Sequence, residues 1–282
     1  HISLDRIMGD SDMLDIGRMI ILVAILLSSS VVSGLTIETW NVGEISDPDS
    51  MRIRRLIDFA ILEKPDVLLL QEVENVTMEQ VNKTKTLNNE YRRFRAGSVE
   101  GFPRGGLLTF VRKELFPQNA EYSNFTSAMG RGILLVEAEA CGIMLNIANV
   151  HLESPDILFW RSHKLRLQQV ERIKLISQAS ENWIVAGDFN PVFEPGVDQW
   201  FSEDWRDVWV IKYPKDPGLT WDPDHNSMAW HQGGFLLPGF RLDRILLKSK
   251  QLQIHEVRRL GMNSEHALSD HYGLLSELQC SN

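Results

Sequence analysis

The sequence predicts a layered α/β protein, and three features say so. Short apolar runs of strand character alternate with stretches whose apolar residues recur at helical spacing. Polar residues follow directly on those runs, where the edge of a sheet presents its loops. A chain of 282 residues, 43% hydrophobic, can bury one large core or two small ones, and no composition shift divides it. Residues 1–34 read as a leader and 35–282 as the folded domain.

Met19 to Leu27 is an unbroken apolar run, followed by Ser28-Ser29-Ser30-Val31-Val32-Ser33-Gly34. It is too short to span a bilayer and fits the core of a secretory signal, a mis-assigned gene start or a buried helix. Leu35 to Asn41 alternates as a strand does. From Met51 to Leu62, Ile53, Leu56, Ile57, Ala60 and Ile61 recur at helical spacing until Pro65. Val67 to Leu70 is an apolar strand delivering Gln71 and Glu72, and a second helix is expected over Met78 to Asn88. The chain then turns strand-rich, with strands expected at 105–111, 132–138 and 143–150, the last delivering His151. A helix follows from near Ser162 to Ser177, with Leu165, Leu167, Val170, Ile173 and Ile176 inward and Arg166 and Gln169 on another stripe. Trp183-Ile184-Val185 is a buried strand ending in Ala186-Gly187-Asp188-Phe189-Asn190. Pro191 to Gly239 is loop-rich and aromatic, and strands are expected again at 241–247, 254–260 and just after His271.

The formal net charge of -9 argues against a protein that coats nucleic acid electrostatically. Two cysteines, Cys141 and Cys280, allow one disulfide and no disulfide scaffold. Sequons at Asn75-Val76-Thr77, Asn82-Lys83-Thr84 and Asn124-Phe125-Thr126 go with secretion, though such triplets also occur by chance.

Asn41, Glu72, His151, Asp188 with Asn190, and Asp270 with His271 all stand at strand ends, and Asp243 a few positions into its strand. Each has an ordinary reading. Gly-Asp-x-Asn suits a turn, His151 a hydrogen-bonded core histidine, Glu72 a surface charge. Asp243 resists one, because a buried unpaired carboxylate is costly. Together the residue types fit metal-assisted phosphodiester cleavage. Glu72 offers a hard oxygen to Mg²⁺ or Mn²⁺, and Asp188 can orient or deprotonate a water. Asn41, Asn190 and His271 can stabilise charge on phosphorus, with Asp243 orienting His271. No Cys/His cluster suggests zinc, and no Gly-x-Ser-x-Gly elbow suggests acyl transfer.

Six phrases occur in order: TWN (39–41), LQEV (70–73), HLES (151–154), GDFN (187–190), RLDRI (241–245) and SDHYG (269–273). They resemble the endonuclease/exonuclease/phosphatase superfamily, the DNase I-like fold, over about Leu35 to Leu278. The resemblance implies a four-layer α/β sandwich of two packed mixed β-sheets flanked by helices, and Mg²⁺-dependent phosphoester hydrolysis. Within it the sequence is most similar to the tyrosyl-DNA phosphodiesterase 2 subfamily, through Thr220-Trp221-Asp222 and an Arg-x-x-Gln helix at Arg166 and Gln169 as well. That likeness implies Glu72 at the metal with Asp270 supporting it, Asp188 activating water, and Asn41, Asn190 and His271 stabilising the transition state. Asp243 and His151 join the catalytic group, while Ser154, Trp221 and Arg166 would contact substrate. DNA 5′ ends or protein–DNA adducts are the implied partners of a monomer free of the membrane in its mature form. The location would be nuclear or cytoplasmic, or extracellular if residues 19–34 are a signal.

The subfamily's basic residue two positions after the GDxN asparagine is Val192 here. Arg92, Arg93, Arg95 and Arg104 form a local basic patch or a solvated face. A secreted DNase I-like nuclease or a sphingomyelinase-type phosphodiesterase would use the same site, and a catalytically dead binding module would keep the fold alone.

Overall fold

The computed structural model describes residues 34–44, 47–96, 105–155, 159–192, 201, 204–232, 236–262 and 266–281, all in the unit from Ser33 onward. The apolar run at 19–27 and Arg104 lie outside the described residues, whereas Gly34 already opens the first strand.

β1 (Gly34–Asn41), helix α1 (Ser50–Ala60) and β2 (Val67–Val73) form a strand–helix–strand unit with the strands parallel. Asp49 caps α1 by accepting from the backbone N–H of Met51 and Arg52, and Ile53, Leu56, Ile57 and Ala60 are its buried stripe. Two short helices follow, α2 (Asn75–Lys83) and α3 (Lys85–Glu90). The single helix expected over 78–88 is therefore broken. Thr84 turns extended (φ -91°, ψ 102°), its hydroxyl donating to Gln80 O at 2.9 Å, and Asn88 Nδ2 satisfies Thr84 O at 3.0 Å. The sheet is completed by β3 (Tyr91–Ala96), β4 (Gly106–Arg112), β11 (Leu252–Leu260) and β12 (Gly273–Cys280), in the order β11-β12-β1-β2-β4-β3. Arg92, Arg93 and Arg95 lie on the edge strand β3.

The second sheet repeats the plan. β7 (Ile143–His151), helix α4 (Phe159–Ile176) and β8 (Trp183–Asp188) are its parallel unit. With β5 (Ala120–Asn124), β6 (Gly132–Ala140), β9 (Arg206–Asp207) and β10 (Asp243–Lys248) the order is β5-β6-β7-β8-β10-β9. β1 faces β8 and β10, β2 faces β7 and β8, and β4 faces β6 and β7. Outside the first sheet Trp40, Leu68 and Leu70 pack with the buried stripe of α1; outside the second, Ala148, Val150 and Val185 pack with Val170 and Ile173 of α4. The fold is the four-layer sandwich, with each fully buried aliphatic side chain stabilising it by about 1.5–3 kcal/mol. Between the sheets, Gln71 Nε2 donates to Asn149 Oδ1 at 2.8 Å and Asn149 Nδ2 to Leu70 O at 3.1 Å. This buried polar bridge, in which Gln71 Oε1 alone is left without a partner, ties one sheet to the other.

Helix α4 buries Val170 and Ile173 as expected, with Ile176 packed partly against them, but its buried face extends over polar residues as well. Its buried positions are Ser162, Arg166, Gln169, Val170 and Ile173, while Leu167 and Leu175 face solvent. Backbone partners make the buried arginine tolerable: Arg166 Nη1 donates to Glu153 O at 2.6 Å, and Gln169 Oε1 accepts from Glu153 N at 2.9 Å. The helix is thus a clamp on the loop after β7. Among the described residues, no helix is long and apolar enough to cross a membrane.

Cys141, in the β6–β7 turn, and Cys280, ending β12, form a disulfide with Cα atoms 5.4 Å apart. It joins the two sheets at the end away from His151 and His271. Closing a loop across a separation of 139 residues restricts the unfolded chain strongly. The chain-entropy model puts such an effect at roughly 5 kcal/mol. Reduction without other change is expected to lower the denaturant midpoint clearly, read by tryptophan fluorescence with and without a phosphine; an unchanged midpoint would deny the bridge a stabilising role.

Glu38, in the middle of β1, is fully buried with neither carboxylate oxygen hydrogen-bonded. Burial, reinforced by Glu63 and partly offset by Arg258, pushes its carboxyl well above the usual glutamate range. The folded state thus holds a proton that the unfolded chain releases. Glu38's contribution is full below the ordinary glutamate range and is lost as pH rises through the raised value. Glu38→Leu is expected to stabilise the domain at pH 8 by on the order of 1–3 kcal/mol, with a smaller gain at pH 4. Melting temperatures of both proteins at the two pH values check this, and a gain larger at pH 4 would contradict it.

Candidate active site

Both parallel units deliver their carboxyl ends to the same edge of the sandwich, the edge where open α/β sheets present ligand sites. β1 brings Asn41, β2 Glu72, β7 His151 and β8 Asp188. β10 runs antiparallel to β8, so its first residue, Asp243, lies in register with Asp188. β12 is antiparallel to β1, which places Asp270 and His271 at that edge too. All the residues expected at strand ends converge.

Local backbone features aim them. Glu72 has φ 57° within an irregularity of the β2–β4 ladder between Leu70 and Val73, which turns its carboxylate into the site. Asn190 has φ 51°, a conformation asparagine tolerates, and its N–H donates to Asp188 Oδ1 at 2.9 Å. At Gly187 (φ 141°) a Cβ would collide with Val150 O, so only glycine lets β8 approach β7 there.

Asn41 spans the two sheets, its Nδ2 donating to Asp188 Oδ2 at 3.0 Å and to Glu72 Oε1 at 3.3 Å. Burial, then the charge of Asp243, pushes the Asp188 carboxyl up to about 6, with His271 and Asn41 opposing. Burial, then Asp270, pushes Glu72 up to about 7. His271 Nδ1 pairs with Asp243 Oδ2 at 2.7 Å, and Asp243 N donates to Thr220 Oγ1 at 3.0 Å. Burial works against a charged His271, but Asp243 and Asp270 outweigh it and hold the ring well above the usual histidine range. Asp243, awkward as a strand residue, is thus paired.

His151 is the opposite case. Burial, Arg131 and His271 hold it well below the usual range. Arg131 Nη1 lies 2.8 Å from His151 Nδ1, so the neutral ring accepts there and carries its proton on Nε2, 3.4 Å from Asp188 Oδ2. Arg131 Nη2 also donates to Ser154 Oγ at 2.8 Å. Neither Arg131 nor Arg52 was foreseeable from spacing. Arg52 of α1 donates to Val42 O at 2.7 Å and Leu268 O at 2.6 Å, tying the loop after β1 to the loop carrying Asp270.

Glu72, Ser154, Asp188, Asn190, Asp270 and His271 line the polar side of a cavity of about 700 Å³. Val192, Trp221, Leu237, Phe240 and Leu242 make an apolar wall, with Trp221 stacked on Phe240. Asn41, His151 and Asp243 stand behind this lining, and Arg166 is fully buried under the loop after β7.

Asp188, Asp243 and His271 bring ligand-type atoms within 4.8 Å of one another. His271 is a poor metal ligand, because its Nδ1 is committed to Asp243 and its charged form is favoured. Glu72 with Asp270 is the better fit to a hard cation: two oxygen donors whose mutual repulsion raises Glu72 and would be relieved by positive charge.

Carboxylates, carboxamides and a charged imidazole converging at one end of a twin-sheet sandwich define a phosphoester hydrolase. The chain belongs to the Endonuclease/Exonuclease/phosphatase family, whose model matches residues 39–271. Zebrafish (D. rerio) TDP2 complexed with a single-strand DNA product is 25% identical, covering 88% of this chain and 99% of that chain, with a TM-score of 0.72. TDP2 from C. elegans is 20% identical, covering 88% and 75%, at a TM-score of 0.71. The human Nocturnin catalytic domain with bound sulfate is 20% identical, covering 88% and 94%, at 0.65. The chain is therefore similar to TDP2, as its motifs implied. No curated protein matches it.

Proposed function

We propose that the chain is a Mg²⁺-dependent phosphodiesterase hydrolysing 5′-phosphotyrosyl or related 5′-end linkages of DNA. The observation that carries the proposal is Asn41 joining Glu72 of one sheet to Asp188 of the other, which puts a hard-cation ligand and a proton acceptor on one donor. The likeness to zebrafish TDP2, a protein seen with a DNA product, supports the substrate class.

Asp188, a stronger base than a solvated aspartate, orients a water and takes its proton as the oxygen attacks phosphorus. Asn41 and Asn190 hold Asp188 from either side, and the His151 Nε2–H faces the same carboxylate. His271, kept charged by Asp243, lines the cavity and stabilises the developing negative charge. The P–O bond to the leaving oxygen then breaks. Glu72 and Asp270 would hold Mg²⁺ (Mn²⁺ as a substitute), whose chemistry is Lewis-acid stabilisation of phosphate and leaving-group charge. Ser154 and Trp221 contact substrate, while Arg166 positions the His151–Ser154 loop.

A second reading keeps this site in a secreted nuclease or lipid-headgroup phosphodiesterase. The disulfide favours it, as does a cavity lined on one side by apolar residues, with Val192 among them. The test is hydrolysis by the purified chain, with and without Mg²⁺, of a 5′-phosphotyrosyl oligonucleotide, plain duplex DNA and sphingomyelin. Mg²⁺-dependent release of tyrosine leaving a 5′-phosphate is expected. Preferential cleavage of plain DNA or the lipid would transfer the site to the second reading.

A further inference from the structure

We propose that Asn124 is an N-glycan acceptor, on a domain that matures in an oxidising lumen. The inference does not rest on the substrate, and it bears on it: lumenal maturation goes with the secreted reading of the site. Three Asn-x-Thr triplets occur, and their asparagines are all exposed, but the folded protein treats them differently. Thr77 is buried at the start of α2, and Thr84 is buried with its hydroxyl bonded to Gln80 O. Asn82 has its Oδ1 engaged by Arg93 at 2.6 Å. Those two triplets have structural reasons to exist.

The third has none of these. Asn124 ends β5, and both Asn124 and Thr126 are exposed on either side of the buried Phe125. The Asn124 carboxamide makes no hydrogen bond to the described residues, although its backbone is fixed by the pairing of β5 with β6 opposite Gly132. β5 is the outer strand of its sheet. A bulky, hydrated sugar at its end would shield that open edge from pairing with another chain.

The compartment is argued from separate chemistry. N-linked transfer occurs in the lumen where disulfides also form, and reducing compartments keep thiols open. The chain's two cysteines are paired across the two sheets, and no free cysteine is present among the described residues.

The test uses the full chain produced behind a secretion signal in a eukaryotic host. Enzymatic removal of N-glycans in ¹⁸O-water, followed by peptide mapping, is expected to convert Asn124 to labelled Asp. Asn124→Gln and Thr126→Ala should each remove the same single glycan from the intact mass, although Thr126→Ala leaves the asparagine in place. Alkylation of the unreduced native protein should leave Cys141 and Cys280 unmodified, and modify both after reduction. Recovery of Asn124 unlabelled from the wild-type protein would overturn the proposal, as would alkylation of both cysteines without reduction.

Discussion

Asp188→Asn is expected to reduce kcat by about 10³-fold or more, in line with loss of a general base that also positions the nucleophile. Asparagine matches the shape and keeps one acceptor oxygen, which can take the hydrogen bond from Asn41 or from the Asn190 N–H but not both; because neither donor is a substrate group, the KM should move little. What disappears is the capacity to take a proton, which burial and Asp243 have strengthened by raising the carboxyl to about 6. In the wild type, activity should rise with pH through that value as the carboxylate forms. The same substitution should not destabilise the fold above pH 7, because it removes a buried negative charge beside Asp243. Steady-state rates and melting curves on one preparation separate the effects. A loss below tenfold in kcat would assign water activation to another group, and a collapsed melting temperature would make Asp188 a folding residue.

Much of this site was legible because each member follows an apolar run. A strand buried on both faces must end where its polar residues can meet water or one another, so Asn41, Glu72, His151 and Asp188 advertise themselves. The fold was legible for a related reason: strand–helix–strand spacing at both 35–70 and 143–185 dictates two parallel pairs. Residues that work through backbone partners were hidden. Arg131 sits between two glycines with no periodicity around it and meets His151 only because β6 pairs with β7. Arg166 and Gln169 were assigned away from the core because hydrophobic patterning cannot register that Glu153's backbone receives them. The short strands β5 and β9 are polar edges, where alternation carries little signal.

Glu72→Gln should abolish turnover while the domain still folds. The side chain keeps its length, but the amide carries no charge and its nitrogen donates where a cation needs an acceptor. Rates should fall by at least about 10³-fold even in saturating Mg²⁺, as for loss of Lewis-acid assistance, and near-normal rates there would remove Glu72 from the site. The backbone at this position offers a sharper test. Glu72 adopts φ 57°, a conformation costing a non-glycine residue about 1–3 kcal/mol. Glu72→Gly removes the carboxylate, relieves that strain and ends the repulsion with Asp270. It should therefore be equally inactive and no less stable, whereas Glu72→Ala should be inactive and less stable than Glu72→Gly. Under the proposed function, a fold that keeps glutamate where glycine is easier and holds its carboxylate against another carries that strain for a cation. If Glu72→Gly instead melts well below the wild type, the carboxylate is holding the sheets together through Asn41, and its tie to the metal is lost from the argument.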